Sequence, residues 1–292
     1  MFVVGRGKTN WASDVLREEL TLTELMKVQP SEVNKSEAAD LTDGKGCGDK
    51  DWYGAPFKEL DGLLLNGWPE GLKRVEAIME KVRRKAVPHA RSRKRKRTRL
   101  DMGDDIDLDR FRSGQLDDCW WSMLRKVGRG KPIISIATRI GFLCDRKADD
   151  FLYQGAAALL LTDILEEAGY KVEVYGYAVS RGVWKGGGGS PLKGVLRVPF
   201  KLPSEPLDKT RLVSLLGLAG LFRKWGFLWF YSQPWECEGG LGTTEETTAC
   251  AKDAGADIIL DDITTEERVV EMLVDVIEHL NRNELTLYGR EK

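Results

Sequence analysis

The chain has 292 residues, 42% of them hydrophobic, which is enough for one large domain with an appendage or for two modest domains. Its 45 Lys and Arg residues balance 46 Asp and Glu residues, so the net charge of -1 excludes a global attraction to nucleic acid or to an anionic membrane. Electrostatic recognition is therefore expected to be local. The sequence contains no uninterrupted run of about 18 apolar residues, the length that predicts a membrane span.

The first 87 residues predict an N-terminal extension that is partly loose and partly helical. Residues 1–50 mix short apolar patches with polar residues and glycine, so they predict a loosely ordered segment. Residues 51–87 carry apolar side chains at helical spacing on both sides of Gly67-Trp68-Pro69. This pattern predicts two helices joined by a tight corner.

Residues 88–110 contain a basic run followed by an acidic run and are predicted to be a charged linker. The two runs are able to neutralise each other locally, and both lack the apolar residues of a core. The basic run is also the candidate contact for a nucleic acid or another partner, and dense runs of this kind also act as nuclear addresses. No aromatic residue interleaves its charges, so base stacking is not indicated. The contact residues are Arg91, Arg93, Lys94, Arg95, Lys96, Arg97 and Arg99.

Residues 111–292 are predicted to form one α/β domain, because apolar strand patterns and helical patterns alternate from about Lys131 onwards. The first βαβ unit consists of a buried strand in 132–143, a helix from Ala148 to Ala168 and a strand in 171–179. Strands are then expected in 194–200, 226–233 and 256–260, and helices in 208–225, 243–255 and 264–282. The alternation predicts a doubly wound, mostly parallel sheet flanked by helices.

Carboxylates near the predicted strand ends are the strongest chemical signal in the sequence. Ligands of doubly wound sheets bind outside the carboxyl ends of the strands, and hard cations such as Mg²⁺ or Ca²⁺ bind carboxylate oxygens. Helix capping explains aspartates at helix starts equally well. The two histidines and five scattered cysteines form no zinc or catalytic pattern, so no catalytic or cofactor-binding residue is assigned. The candidate metal ligands are Asp145, Asp149, Asp261 and Asp262, with Asp150 beside them.

The stretch from Pro132 to Ser180 resembles the opening of a von Willebrand factor A-type domain. Such domains are doubly wound, and the resemblance implies an adhesion site for a metal ion with the motif Asp-x-Ser-x-Ser at the end of the first strand. The matching segment here is ISIATRIGF, which supplies Ser135 and Thr138 but no Asp. The resemblance therefore implies the fold without the metal chemistry. The layout, including Gly67 to Gly71, also resembles uncharacterised bacteriophage proteins.

These observations favour a non-enzymatic protein-interaction or assembly protein built on a degenerate A-type domain. We expect its strand-end loops to contact a protein partner, without a membrane or a required cofactor. The alternatives are a metal-dependent enzyme acting on a phosphoester and a nucleic-acid-associated protein that uses residues 91–99. The expected location is the cytoplasm of a bacterial or phage-infected cell, or the nucleus in a eukaryotic host.

Overall fold

The computed structural model describes residues 15–32, 34–36, 38, 39, 41, 50–86, 97–100, 105–115, 119–123, 133–141, 146–167, 169–183, 192–233, 236, 237, 256–261 and 263–282. The chain divides into two compact units. The main unit comprises residues 1–89 and 133–292, and the small unit comprises residues 90–132.

The strands are β1 Val15–Glu19, β2 Arg97–Leu100, β3 Asp105–Ile106, β4 Trp120–Met123, β5 Ile133–Arg139, β6 Lys171–Val183, β7 Leu192–Lys201, β8 Glu236–Cys237 and β9 Ile258–Leu260. The helices are α1 Leu22–Leu25, α2 Lys50–Tyr53, α3 Leu60–Asn66, α4 Pro69–Ala86, α5 Leu108–Arg112, α6 Asp150–Glu167, α7 Lys209–Gly217, α8 Phe227–Ser232 and α9 Glu266–Arg282. A 3₁₀ turn spans Phe57–Glu59, and a π-helical turn spans Leu221–Gly226.

The main unit is built on a mostly parallel sheet with the strand order β1-β7-β6-β5-β9. The pairs β1–β7, β5–β6 and β5–β9 are parallel, whereas β7 and the short β8 pair antiparallel with β6. The predicted βαβ unit is present as β5, α6 and β6. The sheet and its helices therefore confirm the α/β class.

One face of the sheet packs against helices α4, α6, α7 and α9 in a single hydrophobic core. The strand residues Ile134, Val172 and Leu196 belong to this core together with Leu159 of α6 and Val75 of α4. Helix α6 is buried on nearly all sides, which explains why its sequence is apolar around its whole circumference. Residues 51–87, predicted as a separate segment, thus fold as part of the main unit.

The first described strand closes the edge of this sheet. Strand β1 pairs in parallel with β7, with Arg17 opposite Val195. The indole Nε1 of Trp229 donates a hydrogen bond to the Glu18 carboxylate at 2.7 Å, and Leu20 N donates to Arg197 O at 3.0 Å. Part of the segment predicted to be loosely ordered is therefore an edge strand of the main sheet.

The predicted strand over 226–233 is wrong: this aromatic stretch is helical. It forms the end of the π-helical turn and helix α8, and Phe222 packs against Phe227 and Phe230 with ring centroids 5.0 and 5.4 Å apart. A short apolar run that is buried on all sides does not distinguish a strand from a buried helix by periodicity. The predicted helix over 208–225 is also interrupted, because α7 ends at Gly217 and the next residue, Leu218, has an extended conformation.

No single helix among the described residues is long and apolar enough to cross a membrane. Helix α7 and residues 221–232 reach the required length and composition only together, and they are bent by 54°.

The small unit contains a three-stranded antiparallel sheet with the order β2-β4-β3. Helix α5 follows β3 in the chain. Its first strand lies inside the predicted linker of residues 88–110, and its central strand comes from residues 120–123. Composition within 88–110 alone does not reveal this strand, because its pairing partner lies about twenty residues further along the chain. Cys119 beside β4 is a buried thiol, as predicted.

A pair of glycines in and after helix α3 provides a test of the predicted corner. Gly67 ends α3 with φ 92° and ψ 162°, a region that only glycine adopts readily, and a Cβ there would lie 2.7 Å from Thr210 Cγ2. We expect Gly67→Ala to lower the free energy of unfolding by about 1 to 3 kcal/mol. For Gly62, inside the same helix, the position that a Cβ would take has no neighbouring atom within 4 Å. Gly62→Ala is the matched control and should raise the free energy of unfolding by about 0.5 to 1 kcal/mol. Urea denaturation of both variants measures the difference, and equal effects would contradict this account.

Candidate functional site

The predicted strand-end carboxylates are separately paired in the structure. An Asp149 carboxylate oxygen lies 2.7 Å from Arg74 Nη2, and an Asp261 oxygen lies 2.8 Å from Arg139 Nη1. Asp150 accepts a hydrogen bond from the backbone N–H of Lys147 at 3.1 Å, at the start of α6. Among the described residues, no three His, Cys, Asp or Glu side chains are grouped to hold a metal ion. Asp145 and Asp262 lie outside the described residues, so the metal site stays a prediction.

A buried glutamine fixes this end of the sheet. Gln154 of α6 donates from Nε2 to Leu260 O at 2.8 Å and to Arg139 O at 3.4 Å, and its Oε1 accepts from Ile263 N at 3.1 Å. The Arg139 side chain donates from Nε to Gly141 O at 2.6 Å. The carboxyl ends of β5 and β9 and the start of the last loop are thereby cross-linked.

The two residues that carry the A-type resemblance both lie within β5. Ser135 is in the middle of the strand, where its Oγ donates to Glu173 at 3.0 Å and its N–H donates to Asp257 at 2.8 Å. Thr138 is fully buried, and its hydroxyl has no hydrogen-bond partner among the described residues. Neither side chain lies in a loop beyond the strand end, where the adhesion motif would require it.

A polar cluster on the second face of the sheet was not found from the sequence. Arg197 of β7 lies between two carboxylates, 2.8 Å from Glu173 and 3.3 Å from Glu19, and its guanidinium carbon lies 3.9 Å above the ring of Tyr175. These residues come from β1, β6 and β7, so only the strand register brings them together. The alternation of Glu173 and Tyr175 in β6 is the one signal that placed two of them on one face.

Tyr175 is the most deeply buried member of this cluster. Its side chain is fully buried, and its hydroxyl has no hydrogen-bond partner among the described residues. Burial raises the pKa of the Tyr175 hydroxyl to about 12, although the Arg197 charge opposes the rise. The phenol therefore stays neutral throughout the physiological pH range.

The two units differ strongly in charge. The small unit, residues 90–132, contains 13 Lys and Arg against 7 Asp, which gives it a net formal charge of +6. The remainder of the chain contains 32 Lys and Arg against 39 Asp and Glu, a net charge of -7. The net charge of the whole chain is therefore the sum of one basic and one acidic unit. A partner of the small unit meets a net positive charge.

The sheet of the small unit separates part of the basic run from the acidic run. Arg99 of β2 and Asp105 of β3 are both paired with Trp121 of the central strand. Because adjacent strands lie about 4.8 Å apart, the backbones at these two positions are about 10 Å apart. The register also makes Arg99 and Trp121 backbone partners, a pairing that the linear sequence did not indicate.

Only part of the predicted basic contact can be placed. Arg97 and Arg99 lie in β2, opposite Met123 and Trp121. Arg91, Arg93, Lys94, Arg95 and Lys96 lie outside the described residues.

The fold thus defines an α/β protein with an added basic antiparallel unit. Residues 20–286 match the family model described as Domain of unknown function (DUF7192), and the chain belongs to this family. No curated protein and no solved structure matches the chain.

The contacts of Gln154 predict a large loss of stability when its amide is removed. Gln154→Leu would leave Leu260 O and Ile263 N without the bonds that this side chain makes, and burial of unsatisfied polar groups costs about 1 to 3 kcal/mol each. We expect a loss of about 2 to 4 kcal/mol in the free energy of unfolding. Thr162→Val is the control on the same helix, since the Thr162 hydroxyl donates to Ala158 O, four residues earlier in that helix. Equal free energies of unfolding for the two variants in urea denaturation would contradict the role of the Gln154 amide in holding the strand ends.

Removal of the buried Tyr175 hydroxyl should stabilise the protein, in contrast to the removal of the Gln154 amide. Tyr175→Phe removes a hydroxyl that lacks a partner, so we expect the free energy of unfolding at neutral pH to rise by about 1 kcal/mol.

The same variant should resist alkali better than the parent chain. Because the folded pKa of Tyr175 is about 12 and the ordinary pKa of a tyrosine is 10.0, the parent chain loses stability as pH rises from 10 towards 12. Denaturation curves at neutral and alkaline pH measure both effects, with Tyr153→Phe on α6 as the control. A Tyr175→Phe variant that is less stable at neutral pH would contradict the assignment.

Proposed function

We propose that this protein is a non-enzymatic nucleic-acid-associated protein that uses its basic small unit, residues 90–132, to bind the phosphate backbone. The observation that carries the proposal is the division of charge, +6 in the small unit and -7 in the remainder. Lys and Arg that neutralise phosphates release condensed counterions, which supplies most of the affinity of sequence-independent binding.

The strand arrangement supports this proposal. Strand β2 lies at one edge of its sheet and continues the basic run of residues 91–96, while the acidic strand β3 lies at the other edge. The central strand β4 lies between these two edge strands, so the backbones of β2 and β3 are about 10 Å apart.

We further propose that the α/β unit is a degenerate von Willebrand factor A-like domain that serves as a scaffold. The order of β5, α6 and β6 supports this proposal, and the placement of Ser135 inside β5 is in keeping with the loss of the adhesion motif.

A protein partner at the strand ends of the α/β unit is the second candidate function. The ion pair between Arg74 and Asp149 favours it, because these side chains are 40% and 68% exposed next to the start of α6. Such a pair offers both signs of charge to a partner and contributes little to stability by itself.

Salt dependence is the sharpest test of the first proposal. If the seven basic residues of 91–99 contact phosphates, the logarithm of the affinity for duplex DNA should fall with the logarithm of the salt concentration with a slope of about -6. Between about 50 and about 200 mM salt, the affinity should then fall by roughly three to four orders of magnitude. Fluorescence anisotropy of a labelled oligonucleotide measures this slope.

A variant that leaves β2 intact identifies the contact. This variant should make the slope less negative by about 4 to 5 and weaken binding to all sequences alike. It replaces five basic residues by Ser: Arg91, Arg93, Lys94, Arg95 and Lys96. The control variant replaces three exposed lysines of the main unit by Ser: Lys58, Lys73 and Lys81. It should leave the slope unchanged. Equal slopes for the parent chain and the first variant would overturn the proposal.

A further inference from the structure

The second face of the main sheet is buried, although no described helix contributes to its apolar cluster. Tyr175, Tyr177 and Ala137 are fully buried in this cluster, whose members are strand residues and Ala256. The helices of the main unit contribute instead to the core on the opposite face. Side chains stand roughly perpendicular to a sheet, so neighbouring strands alone do not exclude water from them. A further segment is therefore needed to bury the two tyrosines.

The structure fixes both ends of one stretch of chain at this sheet. Residues 238–255 lie outside the described residues. Directly before them, Cys237 of β8 is paired with Gly182 near the end of β6. Directly after Ala256, the backbone N–H of Asp257 donates to Ser135 O in β5 at 3.0 Å. The intervening residues therefore connect two points that lie far apart along the strands.

The length of this stretch matches the length of the sheet. Ser135 is paired with Glu173, nine residues before Gly182 in β6, which corresponds to about 30 Å along the strands. The sequence predicts a helix over 243–255, and 13 helical residues span about 20 Å. Five extended residues, 238–242, add about 16 Å. The stretch is thus long enough to run back along the sheet with a helix in it.

The second face is the side on which this path fits. The opposite face already packs against α4, α6, α7 and α9. Ala256, where the stretch ends, is buried in the cluster of the second face. In the predicted helix, Cys250, Ala251 and Ala254 lie on one side, because they are separated by one, three and four positions. Small side chains on a helix complement large rings on the facing layer.

We propose that residues 238–255 pack on the second face of the main sheet and bury Tyr175 and Tyr177. This proposal is independent of the proposed function, because it concerns the main unit alone. It makes the ion pairs of Arg197 part of an interior layer, so a partner of the main unit would meet the strand ends and not this cluster. It also predicts that Cys250 is protected from solvent.

Photo-crosslinking from the buried face identifies the segment that covers it. The full chain is made with benzoylphenylalanine in place of Tyr177, and mass spectrometry identifies the crosslinked peptides. We expect crosslinks to residues 238–255. The control carries the same photoreactive residue in place of Tyr153 of α6, which packs against the core of the opposite face, and should give none to that stretch. Crosslinks from position 177 only to residues 1–14, to residues 283–292 or to a second copy of the chain would overturn the proposal.

The reactivity of Cys250 gives a second readout on the unmodified chain. Its alkylation should be at least about 10-fold slower in the native chain than in urea, because reaction of a buried thiol requires local opening. Val179→Asp places a charge in the buried cluster and should abolish this protection, whereas Ile133→Asp, at a half-exposed position of β5, should preserve it. Cys119, buried in the small unit, should stay protected in both variants. Equal alkylation of Cys250 in the native parent chain and in urea would overturn the proposal, even if Val179→Asp did not fold.

Discussion

The buried guanidinium of Arg223 is the interaction on which the arrangement of the main unit depends. It lies on the π-helical turn, donates from Nη1 to Trp52 O at 2.6 Å and from Nη2 to Arg146 O, and stacks 3.9 Å from the Trp52 ring. A buried charge costs several kcal/mol unless its donors are satisfied, so these contacts have to form together. One side chain thereby fixes helix α2, the residues before α6 and the π-helical turn. The next residue, Lys224, binds Asp61 of α3 at 2.8 Å, so two successive cations tie the aromatic segment to different helices.

The elements that the sequence predicted well are those whose signal is local. The βαβ unit of β5, α6 and β6 follows from a β-branched strand, a long helix and a glycine, all within about fifty residues. The corner at Gly67 follows in the same way. The strand prediction for the aromatic stretch 226–233 failed because burial on all sides removes the hydrophobic periodicity that distinguishes a strand from a helix. Strand β1 left no signal either, since its pairing partner β7 lies far along the chain.

The composition of the candidate sites depends on how the strands and helices are aligned with each other, and this alignment could not be predicted from the sequence. Asp149 directly precedes α6 and Asp261 directly follows β9, but their arginine partners Arg74 and Arg139 come from elements that the linear pattern did not connect. The cluster around Tyr175 needed three strands in alignment. In the small unit, the charge of residues 91–99 was evident, whereas the proximity of Trp121 to Arg99 required the pairing of β2 with β4.

The pairing of β1 with β7 also constrains the order in which the chain can fold during synthesis. Arg17 and its partner Val195 are 178 residues apart. At about 5 to 20 residues per second, β1 leaves the ribosome about 10 to 40 seconds before the strand that completes its hydrogen bonds. The strands of the small unit are all made within that interval, and their contacts are close in sequence. Strand β1 therefore lacks its partner while the strands of the small unit are being synthesised, and the sheet edge closes only after β7 has emerged.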